Sequence, residues 1–190
     1  MIIDTNILKN VDDIIDLYNE YGAKNYIGEG VTQTQHSIQA ALLAREESGD
    51  EEAVVAALLH DIGHLLGMKY NLEDMKDLRC LYHEYVGSEA LMRAGLNEKI
   101  CFLIRNHVNA KRYLVTMSQE YYDNLSESSK RTLNYQGGIM LEQELSDFEN
   151  NPLFELIIKM RKWDEKAKVK DMAIPEFKEF REVIEKFISH

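Results

Sequence analysis

Apolar residues recur at three- and four-residue intervals along nearly the whole chain, and no stretch of useful length alternates apolar with polar. Stripes of that period are buried by packing helix on helix, so the fold class reads as all-α, a helical bundle. The 190 residues, 45% of them apolar, fall in the range of one globular domain, taken as residues 1–190, with core enough to need no staple. No internal repeat or low-complexity linker offers a boundary.

The punctuation of the pattern places the elements. Ile7, Val11, Ile14, Ile15 and Tyr18 form one stripe, which predicts a first helix over Asn6 to Tyr21 closed by Gly22. Asn25 to Thr32 breaks the pattern with two glycines and reads as a loop. A second helix follows over Gln33 to Ser48 with Gly49 as its stop, and a third starts after the N-cap Asp50 and ends near His60. Leu65 to Leu78 reads as less regular. A fourth helix is expected near Tyr82 to Ala94, stopped by Gly95, and a fifth from the cap Asn97 to about His107. The polar region Tyr113 to Gly138 carries Ser118 and Ser126 as caps of short helices, and is expected to fold over something. A helix precedes Pro152, another covers Phe154 to about Lys168, and Pro175 is placed in the first turn of the last.

On these helices several polar groups fall on apolar faces. His60 shares a face with Ala53, Ala56 and Ala57, and His83 with Val86, Gly87 and Ala90. His107 continues the stripe of Ile100, Leu103 and Ile104, and Asp164 that of Ile157 and Met160. A buried, ionised carboxylate without a partner costs several kcal/mol, so inward carboxylates among neutral imidazoles point to a metal. Imidazole with carboxylate suits iron, manganese or zinc, whereas calcium and magnesium prefer oxygen alone. A structural zinc site would close with four ligands and favour cysteine, which the set lacks. The cluster therefore reads as a reaction centre.

The order His36, His60-Asp61, Asp164 is similar to the H…HD…D signature of HD-domain metal-dependent phosphohydrolases, and His83 and His107 resemble the second half-site of the di-iron members of that superfamily. The segments YIGE, TQTQHSIQ, AALLHDIGH, YHEYVG, HVNAKRYL, NLSESSKRTLNYQGG and MRKWDEKAK, in this order over nearly the whole chain, resemble the PhnZ-type phosphonate oxygenases, relatives of myo-inositol oxygenase. The resemblance implies two irons in a mixed-valent Fe(II)/Fe(III) state. One is held by His36, His60, Asp61 and Asp164, the other by Asp61, His83 and His107, with Asp61 as the bridge. It implies O2 as co-substrate and no organic cofactor, because the substrate supplies all four electrons. An α-hydroxyphosphonate would chelate one iron while O2 engages the other, and the carbon–phosphorus bond would break to a carboxylate and phosphate.

The matching positions further imply that His64, Lys111, Ser129 and Arg161 hold the phosphonate, that Tyr26 guards the substrate position, and that Glu29 faces a cationic tail. The expected substrate is an aminoalkyl α-hydroxyphosphonate such as 2-amino-1-hydroxyethylphosphonate, giving glycine. Taken without the resemblance, Lys111 and Arg161 fit exposed salt bridges equally well, Tyr26 and Glu29 fit surface loop positions, and His64 could orient a ligand. Two other functions stay open: an HD-type phosphohydrolase acting on a small phosphate ester through a metal-activated water, and a metal-bound regulatory module without turnover.

Charge narrows the partners. Asp plus Glu number 33 against 22 Lys plus Arg, and a formal net charge of -11 repels nucleic acid and anionic membrane surfaces. The opening MIIDTNILKN lacks a basic start and a long apolar run, so a soluble, cytoplasmic protein is expected. Cys80 and Cys101 form no CxxC pair and are expected to be reduced and structural.

Overall fold

The computed structural model describes residues 7–26, 29–72 and 80–189, and these are α-helical with no strand among them. Asn10 sets the start of α1 (Val11–Tyr21), because its side chain accepts from the Asp13 N–H at 3.1 Å. The helix therefore begins later than its stripe suggests, while Ile7 still packs against the core and Asn6 lies outside the described residues. Thr32 and Gln35 close a reciprocal capping box on α2 (Gln33–Ser48), and Gly49 ends it at φ +64°. Asp50 accepts from the N–H groups of Glu52 and Ala53 to begin α3 (Glu51–Leu59), in which residues 53–59 are all buried.

Two further helices depart from the expected bounds. Leu65 and its neighbours belong to α4 (Ile62–Tyr70), since Leu65 and Leu66 are buried where α4 packs on α1 and on α5 (His83–Arg93). Asn71 and Leu72 are outside any helix, as expected, and the rest of the predicted irregular stretch, from residue 73 on, lies outside the described residues. The second departure is α6 (Glu98–Met117), which starts at the cap Asn97 but runs well beyond His107. Ala110, Lys111 and Val115 continue its buried face, so the apolar stripe does not end at the histidine.

Ser118 and Ser126 cap the short helices α7 (Gln119–Asn124) and α8 (Glu127–Tyr135) as expected. They are followed by α9 (Glu142–Glu149) and α10 (Phe154–Lys166). Pro175 falls ahead of, not within, the final 3₁₀ turn Phe177–Phe180, whose cap is Glu176 and which leads into α11 (Arg181–Glu185).

In space α2, α3, α6 and α10 pack side by side, and the α4–α5 pair lies against α6. Trp163 is fully buried on α10 and donates its indole N–H to Glu47 at 2.7 Å, which makes it a core residue. Cys80 and Cys101 are buried, and neither forms a disulfide among the described residues. No described helix is long and apolar enough to cross a membrane.

Candidate metal centre

The bundle brings six side chains to one point in its core. His36 comes from the first turns of α2, His60 from the end of α3, Asp61 from the turn into α4, His83 from the first residue of α5, His107 from the middle of α6 and Asp164 from the end of α10. All six are buried. They fall into two sets of mutually close donor atoms: His36, His60 and Asp164, and Asp61, His83 and His107.

Asp61 stands between the sets. Its Oδ2 lies 3.4 Å from His60 Nε2 and 3.7 Å from His36 Nε2, while its Oδ1 lies 3.3 Å from His83 Nε2 and 3.6 Å from His107 Nε2. Although Asp61 occupies the N-cap position of α4, where an aspartate ordinarily bonds the first-turn N–H groups, its side chain makes no such bond and turns inward. Oδ2 is left buried without a hydrogen-bond donor.

The imidazoles test whether a cation fits. His36 Nδ1 donates to the Ala167 carbonyl at 2.9 Å, His60 Nδ1 to Ala57 at 2.8 Å and His107 Nδ1 to Ile104 at 2.7 Å. A carbonyl can only accept, so each neutral ring carries its proton on Nδ1 and presents a lone pair on Nε2. Yet Nε2 of His36 and His60 are 3.2 Å apart, and Nε2 of His83 and His107 are 3.0 Å apart. Between His36 and His60 the facing lone pairs repel at that distance unless a proton or a metal lies between them. The donor set fits two cations, one per cluster.

The protonation pattern of the bare cluster says the same. Burial works against charge on His60, but the Asp61 and Asp164 carboxylates outweigh it and raise the ring to about 9, whereas burial, then His83 and His60, push His107 down to about 3. Burial also opposes ionisation of Asp61 and Asp164, and is outweighed at Asp61 chiefly by His60 and His83, at Asp164 chiefly by Arg161, His36 and His60; both stay well below the usual carboxylate range. These two buried carboxylates draw positive charge to the cluster, from Arg161 and from a proton on His60, and a bound cation would serve the same need.

Close helix packing makes the geometry reachable. A Cβ on Gly63 would sit 2.0 Å from the His83 carbonyl oxygen, and one on Gly87 would sit 3.0 Å from the Gly63 nitrogen. These two glycines, one inside HDIGH and one inside YHEYVG, let α4 and α5 approach until Asp61 meets His83. The His64 ring stacks on His83 at 3.9 Å, and Glu84 Oε2 lies 3.4 Å from His83 Nδ1.

Above the cluster lies a pocket lined by Tyr26, Glu29, His64, Lys111, Ser129 and Arg161 among others. The polar region after Tyr113 does fold over something: α8 forms one wall of this pocket with Ser128, Ser129 and Thr132. Lys111 and Arg161 are buried, not surface salt-bridge partners. Lys111 Nζ donates to Thr132 Oγ1 at 3.0 Å and to Gln136 Oε1. Burial, then the charge of Arg161, pushes the Lys111 ammonium down to about 7 against the pull of Asp164, Glu84 and Asp61. Arg161 Nε donates to Tyr121 at 3.1 Å and to Glu165 at 2.9 Å, and Nη1 to Asp164 at 2.5 Å, leaving Nη2 buried without a partner. Tyr26 stacks on His36 at 4.0 Å, with its hydroxyl held protonated by burial and by Asp61 and Asp164. Glu29 is paired with Lys168 at 2.8 Å. Ile27 and Gly28 of the YIGE segment lie outside the described residues.

Sequence reasoning missed the residues that hold these groups: Thr132 and Gln136 for Lys111, Tyr121 and Glu165 for Arg161, and Lys168 for Glu29. For all but Tyr121 the one available signal was that NLSESSKRTLNYQGG and MRKWDEKAK stand out as whole segments, wider than the residues singled out in them.

The HD domain family profile matches residues 34–134. The chain is similar to an uncharacterized protein of Acanthamoeba polyphaga mimivirus, 39% identical over 96% of this chain and 84% of that one. It is similar to hydroxymethylphosphonate dioxygenase of Gimesia maris, 34% identical over 96% of this chain and 90% of the relative. It is also similar to the glycine-betaine-forming [1-hydroxy-2-(trimethylamino)ethyl]phosphonate dioxygenase of Leisingera caerulea, 37% identical over 94% of this chain and 90% of the relative.

Proposed function

Since this chain belongs to the HD-domain family, we propose that it is a di-iron dioxygenase that cleaves the carbon–phosphorus bond of an α-hydroxyphosphonate, with an aminoalkyl tail facing Glu29. The observation that carries this reading is Asp61, whose two oxygens face two separate ligand clusters beneath a pocket containing two buried cationic side chains. Two relatives named as phosphonate dioxygenases support the reaction class.

In this reading His36, His60, Asp61 and Asp164 hold one iron and Asp61, His83 and His107 the other. Iron in a mixed-valent pair supplies the one-electron chemistry and the activation of O2. The overall reaction balances without a reductant: the hydroxyphosphonate and O2 give a carboxylate, phosphate and a proton, the substrate losing the four electrons that O2 gains. The chain's own residues bind and orient. The unpartnered Nη2 of Arg161 and the ammonium of Lys111 supply charged donors to the phosphonate oxygens, with Ser129 on the facing wall. A dianionic phosphonate raises the proton affinity of Lys111 above its value of about 7, so substrate entry secures the charge that grips it. His64, stacked on His83, borders the substrate side of that cluster. Tyr26, stacked on His36, covers the other cluster and must yield as substrate settles.

The deciding experiment loads the protein with iron anaerobically, adds a hydroxyphosphonate panel, admits O2 and follows phosphate and oxygen together. One O2 consumed per phosphate, with no added reductant, is expected. Phosphate released from a phosphate ester at equal speed under strict anaerobiosis overturns the oxygenase in favour of a hydrolase.

A further inference from the structure

The segment leaving α10 crosses α2 and is pinned there residue by residue. The Ala167 carbonyl accepts from His36 Nδ1 at 2.9 Å, and the Gln39 side-chain amide bonds both main-chain groups of Val169, at 2.8 and 2.9 Å. Lys168 lies between these two anchors, so its backbone is held on both sides while its side chain reaches into the pocket. Nζ donates to Glu29 Oε1 at 2.8 Å and sits 5.7 Å from the centre of the Tyr26 ring. The Lys168 and Glu29 side chains are 18% and 15% exposed, so water screens this pair far less than a surface salt bridge. Lys168 and Ser129 also border a second, adjoining pocket whose wall includes Tyr121, Ser126 and Glu165.

We propose that Lys168 is the resident counter-ion of Glu29, which a cationic substrate tail must displace, so that Lys168 sets how strongly the site prefers a cationic tail. This rests on the reading of Glu29 as the partner of that tail. Two ammonium groups drawn to one poorly screened carboxylate repel each other, so a tail that reaches Glu29 competes with Lys168 for it and favours its departure. Its four-carbon stem allows the ammonium to swing into the adjoining pocket, whose wall offers the polar side chains of Asn124, Ser126 and Ser129. The gain on binding a cation is then the new ion pair less the old one. An uncharged tail leaves the Lys168–Glu29 pair intact and gains nothing from either. The same pocket thus discriminates between charged and uncharged tails less sharply than a bare carboxylate would, by an amount that Lys168 controls.

The test is anaerobic titration of the iron-loaded protein with 2-amino-1-hydroxyethylphosphonate and with 1-hydroxyethylphosphonate, neither of which turns over without O2. Lys168→Met keeps the aliphatic stem and removes the charge. It should bind the amine about tenfold more tightly, the order expected for a charge-assisted hydrogen bond released from competition, while 1-hydroxyethylphosphonate stays within about twofold. Lys168→Arg should keep the wild-type ratio, and in a Glu29→Gln background Lys168→Met should bring no gain for the amine. Equal changes for both ligands, or a gain that persists without the Glu29 charge, overturns the proposal. Admitting O2 separates it from the oxygenase reading: a shifted ratio without phosphate release keeps the counter-ion role and sinks the oxygenase, whereas phosphate release with an unchanged ratio does the reverse. If neither compound binds, both fall.

Discussion

Arg161 Nη1 donates to Asp164 Oδ2 at 2.5 Å while the other oxygen of Asp164 lies 3.2 Å from His36 Nε2, so a residue expected only to hold substrate also holds a proposed metal ligand. The three-residue spacing on α10 puts both on one face. Arg161→Lys keeps a positive charge but cannot serve Tyr121, Glu165 and Asp164 at once. Phosphonate KM should rise about tenfold or more, and affinity for the iron beside Asp164 should fall by about the same factor, the usual effect of losing a group that orients a ligand. Metal analysis alongside steady-state kinetics checks both, and full iron content with raised KM would confine Arg161 to substrate.

Asp61 and His107 separate the two clusters. Asp61→Ala removes the carboxylate that faces both, and should lower iron content at both positions by at least about tenfold, whereas His107→Ala should empty chiefly the one it shares with His83. Electron paramagnetic resonance distinguishes a lost pair from a lone iron. Matching losses in the two variants would argue against Asp61 as the bridge.

Gly63 carries the approach of α4 to α5. Its missing Cβ would lie 2.0 Å from backbone, the His83 carbonyl, which cannot swing aside as a side-chain tip can. Gly63→Ala should cost roughly 1–3 kcal/mol and part Asp61 from His83, lowering iron content at the His83 and His107 cluster first. Gly138→Ala, where nothing lies within 4 Å of the added carbon, controls for glycine replacement in general although its φ of +66° brings some strain of its own. Chemical denaturation and metal titration of both proteins decide it.

Lys111 makes stability and function pull apart. Its folded-state value of about 7 lies below the ordinary lysine value near 10, so the native state binds fewer protons than the unfolded chain between those two pH values and this residue's contribution to stability rises with pH there. The burial cost is full below pH 7 and fades toward pH 10. Lys111→Met, similar in length and apolar, should therefore raise the substrate-free melting temperature by about 2–4 °C at or below pH 7, with the difference shrinking as pH rises, while phosphonate binding weakens. Melting curves across that range test the sign: a variant that is less stable at pH 7 would mean the bonds to Thr132 and Gln136 outweigh the burial cost.

Much of this architecture is local and therefore legible along the chain. Asp50, Asn97, Ser118 and Ser126 all cap helices where the sequence predicted, because a cap bonds N–H groups only two or three residues away. The histidines and aspartates on those stripes were bound to point inward for the same reason: the helical period alone assigns a face. Where local signals were weak, tertiary contact decided. Leu65 to Tyr70 is helical because α1 and α5 cover it, and α6 outruns His107 because its buried face continues to Val115.

Pairings between distant positions were beyond the reach of period and caps, since they depend on how closely and at what angle two helices cross. Only the fold assigns one oxygen of Asp61 to His60 and the other to His83, through the approach that Gly63 and Gly87 permit. Only the fold tethers Lys111 to Thr132 and Arg161 to Tyr121, and sets Lys168 against Glu29 across 139 positions of chain. By itself the sequence determined an all-α chain with inward imidazoles and carboxylates. The tertiary structure decided how those groups are shared between two clusters and which side chains stand over them, because donor-to-donor distances of 3–4 Å between helices are set by packing, and packing is a property of the whole bundle.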